Sequence, residues 1–114
     1  MFCGILFLFL ESDLCYAMRI VTFKRIKVFI ESHKDSKTAL EEWYFKTTKA
    51  KWGNLSDIKR NFNTVDYVGN NRFVFNIKGN RYRLVAIIIF SSQKVYIRFI
   101  GTHPEYEKID CKNI

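Results

Sequence analysis

A chain of 114 residues with 48% hydrophobic and 17% aromatic residues is one small domain with a single core, which excludes a wholly disordered chain and a two-domain enzyme. A formal net charge of +8 makes a polyanion the default partner class. Cys3, Cys15 and Cys111 are odd in number and lack CxxC or Cys/His spacing. They support neither a disulfide framework nor a zinc site, and point to a reducing cytoplasm.

The first seventeen residues stand apart. MFCGILFLFL is apolar for ten residues, about half of the ~20 needed to cross a bilayer, and it has no basic flank of the kind a signal peptide carries. Residues 1–17 also contain no Lys or Arg, so residues 18–114 hold all 19 cations against the nine remaining carboxylates. The expected organisation is a non-family extension or upstream mis-start over 1–17, a true start at Met18, and one domain over 18–114. The alternative is a short membrane anchor at Met1 to Leu10.

From Met18 the pattern gives a strand at Arg19 to Phe23, then a helix from about Lys24 to His33 with Ile26, Phe29, Ile30 and His33 on one side. His33 falls at the helix end, where the dipole favours a cation. Asp35 or Ser36 is the expected cap of a second helix whose inward stripe is Leu40, Trp43, Thr47 and Ala50. Gly53 and Asn54 end that helix, and Ser56 is expected to cap a short turn through Arg60. Trp43 and Trp52 read as packing residues. Beyond Asp66 come strands at Arg72 to Ile77, Arg81 to Phe90 and Lys94 to Ile100, with turns at Gly69 to Asn71, Lys78 to Asn80 and Ser91 to Gln93. Gly101 ends the last strand, and Pro104 with Glu105 opens a short terminal helix. The fold class is α+β: an antiparallel-rich twisted sheet with two N-terminal helices on one face, a short C-terminal helix, and the other face free.

Alternation along the central strand sends Tyr82, Leu84, Ala86, Ile88 and Phe90 to the core, and Arg81 and Arg83 to the open face. Arg98 on the last strand is expected to join them, with His103 just beyond, Lys78 in the adjacent hairpin, and Arg72 and Asn76 on the neighbouring strand. These groups have the chemistry for cutting RNA. Attack of a 2′-hydroxyl on its phosphate needs charge stabilisation, which guanidinium forks supply, and proton transfer, which a histidine performs near neutrality. Tyr106 is placed to stack on a base or assist the transfer. The same arginines would equally serve an acidic protein partner.

At NRYRLV, YIR and GTHPEY, in that order, the chain resembles the HigB toxins of type II toxin-antitoxin systems, within the RelE-like superfamily of messenger-RNA interferases. The likeness runs from MRIVTF at Met18 to about Ile109. It implies a RelE-like domain and an endoribonuclease that enters the ribosomal A site, cuts mRNA and inhibits translation. It implies neutralisation by a HigA-type helix-turn-helix antitoxin, with DNA contacted only through that antitoxin. Carried onto this sequence, Arg83 takes the place of the strand arginine at the scissile phosphate, and His103 that of a catalytic arginine or histidine. Tyr106 lies close to a terminal tyrosine that some relatives use. Where relatives often present lysines this strand reads FVFNI, with Asn76 at the comparable place, so the general base is open and Lys78 is a substitute for it.

The resulting assignment is a metal-independent, cofactor-free cytoplasmic endoribonuclease with no membrane partner. Arg83 and Arg98 stabilise the phosphorane, His103 acts as general acid or base, and Arg72, Asn76, Lys78, Arg81 and Tyr106 hold RNA. The alternative is a basic module that binds RNA or ribosomes without cutting, or a relic that pairs only with its antitoxin.

Overall fold

The computed structural model describes residues 18–114. The readings placed on residues 1–17, including Cys3, Cys15 and the anchor, lie outside the described residues.

Five strands form one mixed sheet in the order β1-β5-β4-β3-β2. They are β1 (Arg19–Ile20), β2 (Asp66–Gly69), β3 (Arg72–Ile77), β4 (Tyr82–Ile89) and β5 (Lys94–Thr102). The helices are α1 (Phe23–Ser32), α2 (Lys37–Lys49), α3 (Leu55–Asn61) and α4 (His103–Glu107), with a 3-10 turn at Lys34–Ser36 before α2. Strands β2 to β5 make an antiparallel meander, and β1 lies parallel to β5 at the far edge. The α+β architecture with helices on one face is the expected one. Among the described residues no helix is long and apolar enough to cross a membrane.

The core lies between the helices and the face of the sheet that carries Phe73, Phe75, Ile77, Tyr82, Leu84, Ala86, Ile88, Val95 and Ile97. Period-two alternation along β4 puts every second side chain there, as its sequence dictates. Ile26 of α1 and Leu40 and Trp43 of α2 close the layer, with Trp43 edge-on to Phe75 at 5.4 Å and Trp52 stacked against the same ring. At about 25 cal/mol per Å² of apolar area, each such ring stabilises the fold by a few kcal/mol.

Several local expectations are corrected. Strand β1 is only two residues long because the Thr22 hydroxyl takes over the ladder: Ile97 N–H donates to its Oγ1 at 2.6 Å, and the chain turns into α1 at Phe23. Asn54, not Ser56, caps α3, its side chain accepting from Asp57 N–H at 3.0 Å. Neither Asp35 nor Ser36 caps α2 through its side chain, since the Ser36 hydroxyl donates back to the His33 carbonyl and Asp35 turns to the β3–β4 hairpin. His33 does sit at the C-terminal end of α1, its ring stacked on Phe29 at 4.0 Å.

The second face of the sheet is not free. Val74 and Val85 are buried there, outside the main core cluster. The segment after β5 lies over that face, with the Tyr106 ring near Arg83, Asn70 Nδ2 bonded to the Lys112 carbonyl, and Arg72 bonded to the main-chain oxygen of Ile114.

Candidate nucleic-acid interface

Residues paired across an antiparallel sheet share a face. Asn76 on β3, Arg83 on β4 and Gly101 on β5 are in register, so these three form one row on the face away from the main core. The next row holds Asp66, Val74, Val85 and Phe99. Arg83 therefore rises from an apolar floor. Its Nη1 donates to the carbonyls of Asn80 at 3.1 Å and Tyr82 at 3.3 Å, which fixes the fork without neutralising it. It makes no ion pair with any described carboxylate. The Tyr106 ring centroid lies 6.0 Å from its guanidinium carbon, at the edge of cation–π range.

Gly101 opposite Arg83 is buried, and a Cβ there would meet Phe99 Cζ at 2.5 Å. The ring of Phe99 thus fills the space that a side chain would take, packing the floor under Arg83. Two residues on, His103 N–H donates to the Arg81 carbonyl at 3.3 Å, which ties the start of α4 to the end of β4. A capping box holds that start: Glu105 N–H donates to the Thr102 hydroxyl and Thr102 N–H to the Glu105 carboxylate.

His103 Nε2 lies 3.1 Å from Glu107 Oε2, one helical turn on. Its Nδ1 is buried without a hydrogen-bond partner among the described residues. Exposed pairs of this kind are weak, so Glu107 holds the imidazole only lightly. Tyr106 O–H reaches Cys111 Sγ at 3.6 Å, and burial, then the Cys111 thiol, push the phenol up to about 12. At neutral pH Tyr106 is therefore a proton-bearing donor and not a base.

The other expected cations lie elsewhere. Lys78 and Arg81 both close on Asp35, at 3.4 and 3.3 Å, and Tyr82 O–H donates to the same carboxylate at 2.6 Å. Arg81 precedes the first residue of β4, so strand alternation does not govern it, and it turns to the helix side rather than joining Arg83. Arg72 is held by the main-chain oxygens of Asn70 and Ile114. Arg98 is the extra residue of a bulge: Val85 pairs with Phe99 and Ala86 with Ile97. It is exposed, three residues from Gly101 and so about 10 Å along the strand, and its carbonyl accepts from Arg25 Nη1. The bulge inverts the alternation read from the sequence, putting Phe99 and Gly101 on the Arg83 face.

Of the expected set, Asn76, Arg83, His103 and Tyr106 come together at one end of the sheet, Lys78 and Arg81 flank it in an ion-paired hairpin, and Arg72 and Arg98 stand apart. Sequence reasoning missed Asp35, 46 positions before its Arg81 partner and carrying no local mark of it. It also missed the His103–Glu107 pair, which the i,i+4 spacing in HPEYE does reveal. Among the described residues no cluster of His, Cys, Asp and Glu is arranged to hold a metal ion.

A family model described as HigB_toxin, RelE-like toxic component of a toxin-antitoxin system, matches residues 36–109. The chain is 34% identical over 93 residues to the mRNA interferase toxin HigB of Escherichia coli K12, covering 79% of this chain and 88% of that protein. The same identity and coverage hold for the mRNA interferase HigB proteins of Escherichia coli O157:H7 and Shigella flexneri.

Proposed function

The chain belongs to the HigB family of RelE-like toxic components of toxin-antitoxin systems, and we propose on that premise that it is an mRNA interferase acting on messages in the ribosomal A site. Its activity is held in check by a HigA-type helix-turn-helix antitoxin. The observation that carries the reading is Arg83: an anchored guanidinium with no carboxylate partner among the described residues, level with Gly101, which stands two residues before His103.

The reaction follows from these groups. The 2′-oxygen attacks the adjacent phosphorus, the P–O5′ bond breaks, and a 2′,3′-cyclic phosphate and a 5′-hydroxyl result. Arg83 stabilises the charge on the phosphoryl oxygens, with bidentate donors matched to them, and Arg98 steadies the chain further along β5. His103 releases Glu107 and transfers the proton to the leaving 5′-oxygen, while Tyr106, protonated at neutral pH, donates to a phosphoryl oxygen or stacks on a base. Guanidinium charge replaces a metal ion in this scheme. Lys78 takes the 2′-hydroxyl proton only after leaving Asp35 and giving up its own proton to solvent.

Induction of the chain in a bacterium, with primer extension on translated messages, tests the reading. The wild type is expected to arrest growth and generate new 5′ ends, and Arg83→Ala to lose about 10²-fold or more of the cleavage, the size of effect seen for a lost oxyanion donor. Undiminished arrest in both Arg83→Ala and His103→Ala would remove the site assignment. A second reading, binding without cutting, is favoured by one observation: Glu107 occupies one His103 nitrogen and the other is buried. Ribosome binding with intact mRNA would establish it.

A further inference from the structure

Beside Asn76 the sheet has an open edge. Strand β2 pairs with β3 only from Arg72 to Val74, so Phe75, Asn76 and Ile77 lie beyond its last pair. Helix α2 runs past this edge, and between them is a cleft of about 180 Å³ lined by Glu42, Trp43, Lys46, Phe62, Asn76 and Lys78, with Ala39 and Ile77 behind. It is below the roughly 300–1,000 Å³ of sites for drug-sized ligands. At about 30 Å³ per liquid water it would hold about six waters, the scale of one planar base.

The lining is chemically asymmetric. Glu42 is exposed and has no hydrogen bond or ion pair to any described residue, so its carboxylate is an uncommitted acceptor. Lys46, one helical turn on from Glu42 on the same face of α2, has its Nζ 5.6 Å from the centroid of the Phe62 ring, so a cation and an aromatic wall stand beside that carboxylate. Trp43 is 1% exposed, and its Nε1–H has no partner among the described residues. Asn76 links the cleft to the cutting site, because it is the register partner of Arg83 on the adjacent strand.

We infer that this cleft takes a guanine of the RNA, at a nucleotide flanking the phosphate held by Arg83; the inference rests on the nuclease reading above. A carboxylate needs two adjacent donors to be satisfied, and N1–H with the exocyclic amine of guanine offers them side by side. Uracil presents a single N–H between two carbonyl oxygens, which repel a carboxylate, and adenine and cytosine place an acceptor nitrogen next to their amino group. The O6 acceptor of guanine, adjacent to N1–H, suits the Lys46 ammonium that stands beside Glu42. Unstacked bases of single-stranded RNA expose both edges. Glu42 is then the specificity-determining residue, and Lys46 and Asn76 position the base relative to Arg83.

Two tryptophans give two indole N–H resonances in the ¹⁵N-labelled full chain. That of Trp52, bonded to Asn61 at 2.9 Å, serves as internal reference for that of Trp43 in the cleft. Guanosine 5′-monophosphate should shift the Trp43 signal saturably, and uridine 5′-monophosphate should bind at least about tenfold more weakly, the discrimination expected of a bidentate contact. Glu42→Gln should lose at least about tenfold of the guanosine affinity, and Glu41→Gln, its neighbour on α2, should keep it. Equal affinity for the two nucleotides, an unchanged Glu42→Gln, or no saturable shift overturns the inference. Cleavage mapping separates the two readings. A wild type that cuts nothing but is still titrated by guanosine monophosphate loses only the nuclease reading, whereas cutting without guanosine titration loses only the cleft.

Discussion

Tyr82 donates to Asp35 at 2.6 Å while Lys78 and Arg81 approach the same carboxylate, so one acid on the 3-10 turn fixes the hairpin that flanks Arg83. The Tyr82 hydroxyl, ahead of the two cations, holds the Asp35 carboxyl below its ordinary value of 3.8 against the opposing effect of burial. The same hydrogen bond raises Tyr82 above 10.0. A lowered carboxyl pKa contributes stability that is present above the unfolded value and is lost as pH falls through the folded one. A raised phenol contributes stability that is present below pH 10 and is lost as pH rises through its folded value. Asp35→Asn is therefore expected to lower the melting temperature at neutral pH and to flatten the loss of stability below pH 4. Thermal melts of wild type and variant between pH 2 and 7 check this, and parallel curves would mean the contact contributes nothing. None of this was legible locally, because the side chain that looks like a helix cap is recruited by residues more than 40 positions away.

The end of β5 and the start of α4 form one device. Thr102 and Glu105 close a capping box, Gly101 makes room for the Phe99 ring, and His103 follows at the first turn of the helix. A Cβ at Gly101 would press on Phe99 Cζ at 2.5 Å and on Glu105 Oε1 at 2.8 Å, so the ring and the capping carboxylate must both move. Gly101→Ala is expected to cost about 1–3 kcal/mol, the usual range for overpacking, and to reduce cleavage because it displaces α4 and with it His103. Denaturant unfolding measures the first effect, and Gly101→Ala combined with Phe99→Leu should recover part of the stability. Retention of full stability in the single variant would show that the ring moves freely. The sequence announces a strand, a glycine break and a helix start here, since Pro104 and Glu105 punctuate it. It does not announce the bulge at Arg98, because one extra residue in an apolar strand leaves the composition unchanged while it inverts every side chain beyond it. Hence Phe99 and Gly101, not the even-numbered set with Arg98, share the face of Arg83.

Over the whole molecule the excess of cations was plain from composition, but which of them are available to a polyanion depends on tertiary pairing. Gly101 joins the row of Asn76 and Arg83 only through the bulge at Arg98, whereas the pairing of those two follows from strand alternation and the short hairpin between them, which is why that part of the candidate site was legible. The occupied cations were not, because Lys78 and Arg81 close on Asp35 and Arg72 on Ile114 across long stretches of chain. Each phosphate neutralised on a single strand contributes about −0.7 to the slope of log K against log salt. In the wild type, Lys78 and Arg81 already have a carboxylate partner and release few counterions from RNA. Asp35→Asn removes that competitor while leaving Arg83, Arg98 and the sheet in place, so two more cations become free to meet phosphates. Binding of a short uncleavable RNA, with 2′-O-methyl substitution at every sugar, should then steepen by about 1.4 in slope and strengthen most at low salt. An unchanged slope with unchanged affinity would show that the hairpin cations do not face the RNA, and would leave Arg83 with only its immediate neighbours as the phosphate-binding surface.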